Sequence, residues 1–183
     1  MATYPIRVYG DPVLRTPASE IAGVDDALRR LAADMLETMY DAPGVGLAAP
    51  QIGVSRRLFV FDAGFGPRVV INPVRVEVVP GSVMRGHDGD VAIPEDADDE
   101  WIFDEGCLSV PGYYWPIARP GWAAISGTDL DGDTVTYVGN ELLGRVLQHE
   151  FDHLDGRLLV SRLASRQRKK ALRDLREQFL GLV

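Results

Sequence analysis

The run His149-Glu150-Phe151-Asp152-His153 sets two histidines four residues apart with a glutamate between them. On an α-helix, positions i and i+4 lie on one face a single turn apart, so both imidazoles can reach one cation. The alternative is two histidines on an exposed helix by accident, which the rarity of the pattern in a chain with three histidines disfavours. The flanking sequence supports a helix. Asn140 can cap it, Glu141 suits the positive end of the dipole, and Leu142, Leu143, Val146 and Leu147 supply an apolar face. Gly156 can end it in the left-handed conformation. Glu150 would then reach a metal-bound water without being a ligand itself, which is the position of a general base.

The third ligand separates the chemistries. The spacing H-E-x-x-H-x-x-G-x-x-H fails here, because Gly156 is in place but the last position is Leu159. A peptidase of the His₂Glu type takes its carboxylate from farther along the chain, where Asp174 and Glu177 are the candidates on a basic, exposed-looking helix. The other candidate is Cys107, in Glu105-Gly106-Cys107-Leu108-Ser109. A lone cysteine is more often a small buried hydrophobe. Beside a two-histidine motif, with glycine allowing close backbone approach, the ligand role is favoured. A closed, non-enzymatic site would need His87 as a fourth ligand, but His87 lies in a polar stretch and is expected to be solvated.

Cys107 is also the only cysteine among 183 residues, so the chain forms no internal disulfide, and a reducing compartment is expected. At 46% hydrophobic and 25% charged, the composition is that of one globular domain with a sizeable core. No apolar run is long enough to span a membrane, and Met1 to Pro5 lead into no signal-peptide core, so the expected location is the cytoplasm.

The net charge of −8 is concentrated in one segment. Between Gly86 and Asp104 lie eight acids and no Lys or Arg; without them the chain has 19 residues of each sign. Such a segment is expected to be a solvated insertion in a surface connection. Near the C-terminus Arg162, Arg166, Lys169, Arg173 and Arg176 recur at helical spacing and share one face.

Elsewhere, Asp25 predicts the cap of a helix running to about Tyr40, with Leu28, Leu31, Met35 and Met39 buried and Pro43-Gly44 as its stop. Strands are predicted at Leu58–Phe61, Val69–Ile71 and Val74–Val79. Trp122–Thr128 and Thr134–Val138 read as a hairpin turning through Asp131-Gly132. A last helix is expected from about Leu163 to Gln178. This pattern implies a single α+β domain: antiparallel or mixed sheets of short strands around the central motif-bearing helix, closed by a C-terminal helix.

Three segments together, Gly44 to Gln51, Glu105 to Ser109 and Gln148 to Gly156, resemble the bacterial-type peptide deformylases, as does the early Asp11-Pro12-Val13-Leu14-Arg15. The resemblance implies removal of the formyl group from N-formylmethionyl nascent peptides with a divalent metal, usually Fe2+, for which Zn2+, Ni2+ or Co2+ can substitute. It implies Cys107, His149 and His153 as ligands and Glu150 as the acid/base. Gln51 and the backbone N–H of Leu108 would form the oxyanion hole, and Val45 and Gly46 would pair with the substrate backbone. Soft thiolate chemistry by itself suits Zn as well as Fe, so iron comes from the resemblance alone.

No membrane or direct DNA contact is implied. The basic C-terminal stripe suits either docking on the ribosome or a solvated helix face. Tyr113, Tyr114 and Trp115 suit either a methionine-sized pocket or the core. The chain departs from the family in carrying Tyr114 where many members have a peptide-holding arginine, with Arg119 the nearest basic residue. Its acidic segment is also longer than in compact members, and it would border the cleft and disfavour acidic peptides.

Overall fold

The computed structural model describes residues 2–181. Helix α1, Asp26–Asp41, starts where the Asp25 carboxylate accepts the N–H of Leu28 at 2.7 Å. Five strands form the main antiparallel sheet: β1 (Gly46–Ala48), β2 (Leu58–Phe61), β3 (Arg68–Val76), β8 (Trp122–Thr128) and β9 (Thr134–Asn140), in that order. The two expected strands around Ile71 and Val74 are one strand, β3, whose register shifts between those residues. The β8–β9 turn is built on Asp129, whose carboxylate accepts the N–H groups of Asp131 and Asp133.

Both faces of this sheet are covered, which is why all four residues of β2 are buried. Alternation sends Phe59 and Phe61 to one face, where they meet Val146, Leu147, Phe151 and Leu154 of α2 (Glu141–Leu154). Leu58 and Val60 face the other way, onto Leu28, Met35 and Met39 of α1. Leu147 and Leu154 are fully buried, each contributing roughly 1.5–3 kcal/mol. The motif-bearing helix therefore has an apolar side seated on the sheet and a second side free to face the site.

The acidic segment is not a solvated loop. Its hairpin, β4 (Val83–Gly86) with β5 (Gly89–Ala92), lies along β9, where the N–H of His87 bonds to the carbonyl of Thr136. Ile93 and Ala97 pack on Ala124 and Val138, so this segment covers the part of the sheet face that α1 does not reach. Its carboxylates point outward while its few apolar residues seal an edge strand, a position where unpaired backbone would otherwise be exposed. The segment ends inside β6 (Glu100–Gly106), which pairs with β7 (Tyr114–Pro120) as a separate two-stranded ribbon.

Strand β9 runs into α2 without a loop. Glu141 makes the turn with a φ of 44°, and Asn140 makes no side-chain cap bond, contrary to expectation. Gly156 does end the helix region with a φ of 69°. The last helix, α3, is Ser165–Leu180. Ala171 and Leu175 pack it on Leu158, Val160 and Ile117, while Arg166, Lys169, Arg173 and Arg176 are exposed. Arg162 precedes α3 and is tied to Asp152 instead, so the basic stripe is one residue shorter than expected.

Candidate metal centre

The turn after β6 brings Cys107 over the first and fifth positions of the histidine motif, His149 and His153. Its Sγ is 3.2 Å from Nε2 of His153, and the ligand-capable atoms of Cys107, His149 and His153 all lie within 4.8 Å of one another. Among the described residues this is the one such group of three, so His87, Asp174 and Glu177 have no part in it. Burial opposes ionisation of the Cys107 thiol, but His153 and His149 pull its pKa well below the usual range. A thiolate and two imidazoles suit Zn or Fe, and three donors leave a coordination position open.

His149 is fixed from behind. Its Nδ1 lies 3.2 Å from Glu105 Oε2, so Nδ1–H donates there and Nε2 is left to the centre. Glu105 also accepts a two-pronged pair of bonds from Arg119, at 2.8 and 3.0 Å, and one from Arg145 at 3.0 Å. Burial would raise the Glu105 pKa, but His149 and Arg119 hold it down to about 2. His153 has no such support: its Nδ1 is buried without a partner.

Glu150 follows His149 on α2 and is buried at the same centre, its Oε2 also unpartnered. Burial raises its pKa, outweighing the two histidines. Gly46 lies directly against it: a Cβ there would come within 2.4 Å of Glu150 Oε1. Because the carbonyl of Val45 accepts the N–H of Asp62, strand alternation turns the peptide groups of Gly46 away from β2, toward the cleft. Gln51 is oriented by Ala48, whose N–H donates to its Oε1 at 2.8 Å. That turns Nε2 toward Ser109 Oγ, at 3.3 Å, and Cys107 Sγ, at 3.7 Å.

Gly46, Gln51, Cys107, His149 and Glu150 line one cavity of about 900 Å³, together with Val45, Leu108, Tyr113, Tyr114, Leu142 and Arg145. An S/N/N donor set, an unpartnered buried carboxylate and a side-chain amide converging on one cleft can activate a water and hold a carbonyl oxygen. The sequence model of the polypeptide deformylase family matches residues 3–169. The chain belongs to the polypeptide deformylase family. The peptide deformylase of Acidothermus cellulolyticus is 46% identical over 97% of this chain and 88% of its own. That of Mycobacteroides abscessus is 45% identical over 100% and 92%. The crystal structure of a peptide deformylase from Legionella pneumophila superimposes with a TM-score of 0.79 at 38% identity, covering 96% of this chain and 95% of that one.

Within this deformylase fold the aromatic cluster divides. Tyr113 lines the cavity, while Trp115 stacks on it at 5.2 Å from the side of the C-terminal core. Tyr114 is 71% exposed at the cavity wall, its ring against the Cα of Gly106. Arg119 is 2% exposed and committed to Glu105 and Asp152, so it is not free to hold a peptide. Of the acidic segment only Phe103 and Asp104 reach the cavity; the hairpin lies along the far edge of the sheet. The buried residues Glu105, Arg145 and Asp152 carry no role of their own in the sequence analysis, and Arg119 enters it only as the nearest basic residue to Tyr114. The available signal was a single charge in an apolar stretch for Arg119 and Arg145, and a charge inside a motif for Glu105 and Asp152.

Proposed function

We propose that this deformylase removes the formyl group from the N-terminal formylmethionine of newly made polypeptides, with Cys107, His149 and His153 holding Fe2+ and Glu150 moving the proton. The observation that carries the reading is the buried, unpartnered Glu150 carboxylate beside the three-donor cluster in a chain of this family. When bound, the cation supplies Lewis-acid activation of a water and of the formyl oxygen.

The chain's own groups do the rest. The cleft-facing peptide groups of Gly46, with Val45 beside them, pair with the substrate backbone and align the formamide. Glu150, its pKa raised by burial, takes the proton of the attacking water and returns it to the departing amine. Gln51 Nε2 and the N–H of Leu108 donate to the developing oxyanion, donors typically worth about 3–4 kcal/mol each. The apolar wall around Leu142 and Tyr113 receives the methionine side chain.

The cytoplasm, where chains begin with formylmethionine, is the proposed place of work; no described helix is long and apolar enough to cross a membrane. Docking on the ribosome through the exposed Arg166, Lys169 and Arg173 is part of the same proposal, and direct DNA binding is not. The test is formate release from formyl-Met-Ala-Ser by protein purified anaerobically, with its metal identified. Activity that a chelator removes and Fe2+ restores supports the reading; no formate from metal-replete protein overturns it. Ribosome co-sedimentation that survives glutamine at those three positions would count against docking.

A further inference from the structure

The charged groups buried behind the centre form one connected circuit, and Asp152 is the member farthest from the ligands, touching neither ligand nor cleft. Arg145, His149 and Asp152 stand at i, i+4 and i+7 on α2, facing the β6–β7 ribbon. The ribbon answers with Glu105 on β6 and Arg119 on β7. Arg119 donates Nη1 to Asp152 Oδ2 at 2.7 Å and its other two contacts to Glu105, which in turn fixes His149. The guanidinium is planar, so its two ends are not independent: where Asp152 holds Nη1, the Nε and Nη2 edge is aimed at Glu105. Asp152 is 2% exposed and also accepts from Arg162 and, at 3.2 Å, from Arg75. The two extra cations let a carboxylate lie buried against α2 without competing for the face of Arg119 that serves Glu105.

We propose that Asp152 is a positioning residue for His149, acting through Arg119 and Glu105, so that the cation affinity of the site depends on a carboxylate that touches neither cation nor substrate. The inference rests on the reading of Cys107, His149 and His153 as the ligands. His149 receives this support and His153 does not, so the circuit sets one ligand and leaves the other to pack. Partners placed one step behind a ligand typically change metal affinity about 10–100-fold.

The test measures Zn2+ affinity by competition with a chromophoric chelator, together with the absorption spectrum of the Co2+-loaded protein. Wild type, Asp152→Asn, Glu105→Gln and the double variant are compared at a temperature where circular dichroism shows each folded. Glu105→Gln, one contact behind His149, is expected to bind Zn2+ about 10–100-fold more weakly. Asp152→Asn, two contacts farther back, should bind severalfold more weakly than wild type, by no more than Glu105→Gln, and shift the Co2+ bands. The double variant should bind no more weakly than Glu105→Gln alone, because both changes act on one ligand. Arg119→Lys, which keeps the charge but loses the fork, should weaken binding in the same way, and it stands in should Asp152→Asn fail to fold. The pair Arg75→Gln and Arg162→Gln tests a purely structural role, since it should lower stability while leaving Zn2+ affinity near wild type. Wild-type affinity in Asp152→Asn or Arg119→Lys, or losses that add in the double variant, would overturn the proposal. A wild-type protein that binds no Zn2+ would instead remove the site on which it rests.

Discussion

The carboxylate of Glu150 lies against the Cα of Gly46, so close that one added carbon would sit 2.4 Å from Oε1. The edge strand that faces the cleft and the proposed acid/base are thus fixed to each other by the absence of a side chain. Gly46→Ala must displace one of them. A displacement near 1 Å in a reacting group costs about 100-fold, and that is the expected loss in kcat/KM for formate release. Thermal stability should change far less, which a melting curve of the same preparation checks.

Gln51 is aimed by the N–H of Ala48 in β1, so shortening it removes the amide donor and leaves that buried N–H unpaired, a cost to stability rather than to the chemistry. Gln51→Ala is expected to lower kcat by about 100–1,000-fold with a small change in KM, the pattern of a donor that acts mainly in the transition state. Steady-state kinetics on formyl-Met-Ala-Ser distinguishes this from a loss of binding, which would raise KM alone.

Glu105 links the centre to acid stability. Its pKa falls from an ordinary 4.5 to about 2 in the folded protein. The folded state therefore binds fewer protons than the unfolded chain between those values. The stabilisation is present above about pH 4.5 and is lost as pH falls toward 2, on the order of 3 kcal/mol in all. Urea midpoints measured down this range should fall steeply for wild type and more gently for Glu105→Gln.

Gly156 ends the α2 region with a φ of 69°, and a Cβ there would meet the backbone carbon of Arg15 at 2.7 Å. Gly156→Ala combines left-handed strain with a backbone clash, and should cost at least about 1–2 kcal/mol. The expected fall in Tm is about 3–6 °C, read by calorimetry.

Much of this architecture was legible because local chemistry and tertiary position agree. Asp25 caps α1 as its side chain suggests, and β2 is a run of large apolar residues because helices cover both its faces. Cys107 stood out because a single thiol accompanied a two-histidine motif. Strand β6 was hidden for the opposite reason. Its outward face carries Glu100, Ile102 and Asp104 into solvent, and its inward Glu105 is buried only because Arg119 and Arg145 meet it. Neither face has the apolar alternation that marks a strand. The Arg119–Asp152 pair spans 33 residues, and nothing local in either segment announces the other. Asn140 misled as a cap because β9 passes straight into α2, and the turn is made by the backbone of Glu141.

The most direct measurement of the central claim compares formate release by wild type and Glu150→Gln, each loaded with the same cation and matched for cation content. Glutamine keeps the shape but cannot accept the proton. Equal metal content and a loss of about 100–10,000-fold in kcat are expected. A variant that releases formate at the wild-type rate would contradict the central claim.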